Sequence, residues 1–151
     1  MAIDQAAQEA ALLKRAITGI SDYSSRSRRT EYFLYWIMAK LAGVCATMLA
    51  TLALRGSSLT ILMGLLFILL GLPQLALFAR RLNDQDRSPL WNILSFLAFL
   101  TGLWTTVTPS PYVSLDKLVA ALLAAATLIV AALPGTKGPN RHGPDPRTSD
   151  A

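Results

Sequence analysis

Polar and apolar positions alternate along this chain in long blocks rather than at a short period. Four apolar runs, near Tyr32 to Leu54, Leu59 to Ala79, Pro89 to Thr108 and Lys117 to Leu133, are separated by short polar stretches. Each run is close to the ~20 residues that a helix needs to cross a ~30 Å hydrocarbon layer. The pattern predicts an all-α integral membrane protein whose four transmembrane helices cover about 32–54, 59–79, 89–108 and 117–133. Short connections between them require consecutive helices to run antiparallel, as a bundle. A soluble fold would have to bury four such helices completely, and a chain of 151 residues has no outer shell to cover them.

A second pattern precedes the first span. Ile3, Ala6, Ala10, Leu13, Ile17 and Ile20 fall at steps of three and four, with Gln5, Gln8, Lys14 and Arg15 elsewhere. That is one apolar stripe on a helix, and it predicts an amphipathic segment lying on the inner leaflet. The chain thus divides into an N-terminal amphipathic segment (1–24), a four-span membrane domain (25–134) and a Pro/Gly-rich tail (135–151). The opening stretch has acids early and no continuous apolar core, so the first span is expected to serve as the insertion signal.

Charge then fixes the expected orientation. Lys14, Arg15, Arg26, Arg28, Arg29, Arg80, Arg81, Arg87, Lys137, Arg141 and Arg147 fall on one side of a four-span frame, against Arg55 and Lys117 on the other. Basic residues are retained in the cytoplasm, so both termini are expected there. Tyr32, Tyr35, Trp36 and Trp91 then sit at the inner interface, with Trp104 and Tyr112 at the outer one, where aromatic rings favour the headgroup level. This asymmetry accounts for the net charge of +5 without a nucleic-acid partner. Cys45 is the only cysteine, so no intramolecular disulfide can form.

Local signals refine the frame. "RGSS", Arg55 to Ser58, reads as a four-residue loop between the first two spans. Ser88-Pro89 reads as a helix start, with a serine cap and proline in the first turn. Pro73 in "GLPQL" removes a backbone donor and is expected to kink the second span, freeing carbonyls near Gln74. Small residues four apart, Gly43 with Thr47 and Thr51, and Ala120 with Ala124, allow close helix packing within the bundle or between copies in a homo-oligomer.

Three stretches together resemble a known family. "SRSRRTEYF" (Ser25 to Phe33), "LPQLALFARRLNDQDRSPLW" (Leu72 to Trp91) and "GTKGPNRHGPDP" (Gly135 to Pro146) are similar, in order and spacing, to the bacterial inner-membrane proteins grouped as domain of unknown function 805. The resemblance covers nearly all of the chain after residue 24 and implies a four-span inner-membrane fold. It implies no chemistry. Asn83 stands where that family usually has histidine, and a carboxamide cannot exchange protons near neutral pH as imidazole does.

Candidate chemistry concentrates on the expected cytoplasmic side. Arg26, Arg29, Glu31, Arg80, Arg81, Asp84, Asn140 and Asp145 are expected to form one surface there. Asp84 would pair with Arg26 or Arg29, and Glu31 with Arg80 or Arg81, tying the three cytoplasmic segments together. Arg80 and Arg81 also suit the negative end of the second helix and could reach lipid phosphates. Asp84 and Asp86, two apart, could share a divalent cation, although the arginines crowd such a site. Lys40 lies nine residues past Glu31, about 13 Å along a helix, so its stem can snorkel back to the inner interface. His142 has no His or Cys companion, and neither a phosphate-binding glycine loop nor a nucleophile elbow occurs.

The sequence therefore points to a non-catalytic interaction or regulatory module of the bacterial inner membrane, without cofactor, whose cytoplasmic face meets anionic lipid headgroups or a protein partner. A contrasting expectation is a small oligomeric transporter or channel built on Lys40, Gln74 and the Pro73 kink. The third is a lipid-headgroup enzyme using Asp84 and Asp86 as metal ligands.

Overall fold

The computed structural model describes residues 21–108 and 114–147, together with Ala10, Ala11, Lys14, Thr18, Gly19 and Tyr112. The amphipathic stripe expected over 3–20 lies largely outside the described residues. Among the described residues four α-helices carry the fold: α1 (Arg29–Ala53), α2 (Gly56–Asp84), α3 (Asn92–Val107) and α4 (Leu115–Ala132). A 3₁₀ turn, Pro89–Trp91, leads into α3 and lengthens that span. All four spans are long and apolar enough to cross a membrane. Helices suit that medium because every mid-helix backbone group is paired within its own segment.

Each helix packs on the one before it in sequence, while α1 and α4 meet only marginally. The buried core is confined to one end of the bundle. It gathers Tyr32, Tyr35 and Ala39 of α1, Leu77, Phe78 and Leu82 of α2, and Val130 and Ala131 of α4. Large apolar side chains such as Met48, Leu52 and Leu65 are 67%, 79% and 59% exposed. Apolar exposure on that scale suits a lipid-facing surface and not an aqueous one.

Both ends of α2 differ from the sequence expectation. The helix begins at Gly56 instead of Leu59, so the first connection is only Leu54 and Arg55 in extended conformation. Gly56 takes φ +58°, which lets the chain turn that abruptly. At the other end, α2 does not stop at Ala79 but continues five residues to Asp84. Arg80 and Arg81 therefore belong to the helix, and both are fully buried. This corrects the picture of two arginines reaching lipid phosphate: Glu31 of α1 neutralises Arg80 and Asp84, one turn on, neutralises Arg81, so the helix need not end where hydropathy falls. Ser88 does act as a cap, accepting from the Leu90 N–H at 3.3 Å.

Helix α2 runs unbroken through Pro73. Proline at 73 lacks the N–H that would pair with the Leu69 carbonyl, and at the neighbouring carbonyl, Leu70, the Tyr35 hydroxyl donates at 2.8 Å. Glycines set the α2–α3 contact. A β-carbon at Gly71 would lie 2.5 Å from the Phe99 ring, and one at Gly102 would lie 2.7 Å from the Phe67 ring. The two rings meet at 5.5 Å with their planes tilted by 41°, so each phenylalanine occupies the hollow left by a glycine of the other helix. Gly71→Ala is expected to lower stability by about 1–3 kcal/mol through overpacking, with partial recovery when Phe99→Leu is added. Unfolding titrations in mixed micelles measure this. Gly43 and Thr47 turn towards α2 of the same chain: a β-carbon at Gly43 would touch Leu70, and the Thr47 hydroxyl meets the Met63 sulfur at 3.2 Å.

Candidate functional site

The end of the bundle that gathers the start of α1, the end of α2 and the end of α4 also holds the buried charge. Asp84 is its hub. Its Oδ1 accepts from Arg26 Nε at 3.1 Å and Nη2 at 2.9 Å, and its Oδ2 accepts from Arg81. Arg147 approaches the same carboxylate at 4.0 Å. The Asp84 carbonyl accepts from both the backbone N–H and the hydroxyl of Thr136, at 2.7 and 2.9 Å. One residue thus joins the segment before α1, α2 itself and the tail.

Arg26 uses the rest of its fork on tail backbone. It donates to the carbonyls of Gly138 at 2.8 Å, Gly143 at 3.2 Å and Thr136 at 2.9 Å. Planar guanidinium suits such a spread of acceptors, which a lysine could not match. The tail folds tightly enough to present them because Gly138 and Gly143 adopt φ of +78° and +118°. Asn140 and Gly143 also pair as a small antiparallel bridge.

Arg81 and Gln85 cap α4. The last carbonyls of a helix lack intrahelical partners, and here each finds a side chain. Val130 accepts from Gln85 at 2.8 Å, Ala131 from Arg81 at 2.9 Å, Ala132 from Arg29 at 3.4 Å, and Leu133 from both Arg81 and Gln85. Cations also suit the negative end of the helix dipole.

A second pair lies between α1 and α2. Arg80 Nη1 meets Glu31 Oε1 at 3.3 Å, and Ser27 donates to the other oxygen at 2.9 Å. Both ionic side chains are excluded from solvent, and among the described residues Arg80 Nε and Nη2 have no hydrogen-bond partner.

Of the residues expected to share a surface, Arg26, Arg81, Asp84 and Asn140 are thus drawn into one network, and Glu31 and Arg80 into an adjacent pair. Asn140 reaches the network by donating to the Asn83 carbonyl and the Thr136 hydroxyl, each at 2.9 Å. Asp145 accepts from the Gly138 N–H at 3.0 Å and pairs with Arg147 at 2.8 Å. Arg29 stands apart from Asp84, exposed, against the end of α4. Far from being an open surface, most of these groups are buried, because the tail folds over them. Asp84 and Asp86 do not share a site: Asp84 faces two arginines, while Asp86 pairs with exposed Arg141 at 2.7 Å.

Sequence reasoning passed over Thr136 and Ser27, and weighed Asn83 only as a lost histidine. Asn83 donates from one amide nitrogen to two carbonyls, Tyr23 at 2.8 Å and Ser25 at 3.0 Å. Its position in the arginine-rich motif was the available signal. The partners, being backbone carbonyls, leave no trace in side-chain identity.

Two carboxylates outside the spans, Asp22 and Asp145, are held ionised. Hydrogen bonds from Ser25 and Ser24 bring Asp22 from 3.8 down to about 2. Arg147 holds the Asp145 carboxyl well below the usual range. A depressed folded-state value means that the stabilising contribution is complete above the unfolded value and disappears as pH falls through the folded one. The melting temperature, followed by circular dichroism, is therefore expected to stay flat from neutral pH to ~5 and to fall below ~4, the ordinary aspartate range. Asp22→Asn is expected to remove part of that acid sensitivity.

Lys40 and Gln74 lie deeper, on the wall of a common cavity of about 500 Å³ inside the bundle. Lys40 Nζ stands 5.9 Å from the Trp36 ring centre, one turn nearer the arginine-rich end, and Gln74 donates to the Tyr32 hydroxyl at 3.4 Å.

Comparison with known proteins agrees with this architecture. A family model described as "Protein of unknown function (DUF805)" matches residues 20–144. Inner membrane protein YhaI of Escherichia coli strain K12 is 30% identical over 125 residues, covering 83% of this chain and 86% of the relative. The protein of the same name from Escherichia coli O157:H7 matches to the same extent. No solved structure matches the chain. With the family model spanning most of the chain and its motifs forming the buried network, the protein belongs to the DUF805 family of membrane proteins of unknown function.

Proposed function

We propose that the protein is a non-catalytic interaction module of the bacterial inner membrane, with both termini in the cytoplasm and a rigid basic cap as its docking face. The observation that carries this is the use of Arg26. A tail that merely left the membrane would need no anchor, yet a buried guanidinium holds three of its carbonyls. The network's donors are taken up by the Asp84 carboxylate and by backbone carbonyls, which leaves it the character of a clamp rather than of a reaction centre. Clamping the tail turns Arg29, Lys137, Arg141 and Arg147 outward as an exposed basic set. Among the described residues, Asp86 offsets Arg141 through a solvent-exposed pair of small worth and Asp145 pairs with Arg147, which leaves Arg29 and Lys137 without a carboxylate partner there. Such a set suits an acidic protein surface at the inner leaflet, with electrostatics steering the encounter.

Orientation is tested first. A reporter fused to the tail is expected to be active only when it folds in the cytoplasm, and periplasmic activity would overturn the proposal. Docking is tested by tagged co-purification from native membranes. Wild-type protein is expected to retain specific acidic partners that a Lys137→Glu/Arg141→Glu variant loses. An identical set of retained proteins in the two samples would sink the docking role.

A further inference from the structure

The cavity between the helices has a composition that the cap does not explain. It is elongated: its wall on α1 runs from Trp36 to Met48, about 18 Å at 1.5 Å rise per residue. Its volume of about 500 Å³ falls within the roughly 300–1,000 Å³ of small-molecule sites. The wall hydroxyls are committed to their own helices, Thr47 to Gly43, Ser95 to Asn92, Thr106 to Gly102 and Thr127 to Leu123, at 2.8 to 2.9 Å. What remains is a partly open, largely apolar cavity with a single cation, Lys40, and the Gln74 carboxamide, which donates to Tyr32, towards its arginine-rich end. No aspartate or glutamate occurs between Glu31 and Asp84, and Glu31 already serves Arg80. The cavity also reaches the outer face of the bundle, since its wall residues Val44 and Met48 are 55% and 67% exposed.

An occupant must therefore be apolar along most of its length, carry an anion at one end and enter from the lipid phase. We propose that the cavity holds an acyl chain of an anionic membrane phospholipid, with the lipid's phosphate against the Lys40 ammonium. Trp36 sets the depth: Lys40 leans over its ring towards the arginine-rich end, which brings the ammonium closer to the headgroup level. The chain then extends past Gly71 and Phe99 towards Met48 and Met63.

Native mass spectrometry of the full chain, released from micelles containing phosphatidylglycerol and phosphatidylcholine of identical chains, tests this. Phosphatidylglycerol is expected to be retained about fivefold over phosphatidylcholine, the effect of roughly one lysine on an acidic lipid. Lys40→Gln is expected to abolish the preference and Lys40→Arg to keep it. Ala124→Phe, which fills the cavity without touching the charge, is expected to lose the adduct. Circular dichroism melts run alongside ensure that each variant compared is folded. Equal retention of the two lipids, or adducts that persist in Ala124→Phe, would overturn the proposal. So would a preference that disappears in Lys137→Gln/Arg141→Gln but survives Lys40→Gln, because the lipid would then sit on the cap.

Discussion

Asp84→Ala is expected to destabilise the arginine-rich end by about 3–5 kcal/mol, because it leaves two buried guanidinium groups without their carboxylate. Arg26 would keep only uncharged acceptors, tail carbonyls and the Thr136 hydroxyl, and Arg81 only the end of α4. Carbonyls satisfy N–H groups but do not neutralise charge, and a charge out of water is costly unless paired. The tail should loosen first, since Arg26 and Thr136 are its principal ties to the helices. Trypsin cleavage at Lys137 and Arg141 in reconstituted protein reads that loosening directly. Gly135→Ala offers an independent route to the same state. A β-carbon there would fall within the Asp84 carboxylate, so the tail or the carboxylate must move. The two substitutions, 51 residues apart, are expected to give matching proteolysis patterns. A tail that stays resistant in both would remove Asp84 from its place as the hub.

The spans were legible because lipid demands long apolar runs whatever the tertiary packing, and that demand is written in composition. Where hydropathy and helix diverge, the cause is tertiary. Arg80 and Arg81 look like the end of a span only until Glu31, Asp84 and the α4 carbonyls are placed beside them. Ion pairing between Asp84 and Arg26 could be anticipated from charge alone; the capping of α4 by Arg81 and Gln85 could not, because every backbone has the same carbonyls. The reciprocal seating of Phe67 and Phe99 on Gly102 and Gly71 was likewise hidden. It depends on the axial register of two helices, and glycine spacing within one helix does not fix that register. Asn83 is instructive in another way. Judged by the histidine it replaces, it signals lost proton chemistry; in place, it is a double donor that fixes the segment before α1.

The Glu31–Arg80 pair is expected to show the largest coupling in the molecule. Its geometry is poor for a buried ion pair, with one contact at 3.3 Å and with Arg80 Nε and Nη2 unpartnered. Desolvation of such a pair can exceed its Coulombic gain, so replacing both charges with apolar side chains of similar size is often neutral or stabilising by about 1–4 kcal/mol. Breaking it from one side is different. Glu31→Leu leaves a fully buried cation with no acceptor among its described contacts, at a cost of about 3–5 kcal/mol. Ser27, whose hydroxyl also contacts the Arg28 carbonyl, keeps a partner, so the penalty falls on Arg80 itself. Glu31→Leu with Arg80→Met is therefore expected to recover all of that loss and to be at least as stable as the wild type, which equilibrium unfolding of the four members of the cycle measures. Additive single effects would mean that the pair does not interact. Should the double variant be more stable yet lose the proteins that co-purify with the wild type, the pair's value would lie in setting the cap's orientation, since stability alone would favour its removal.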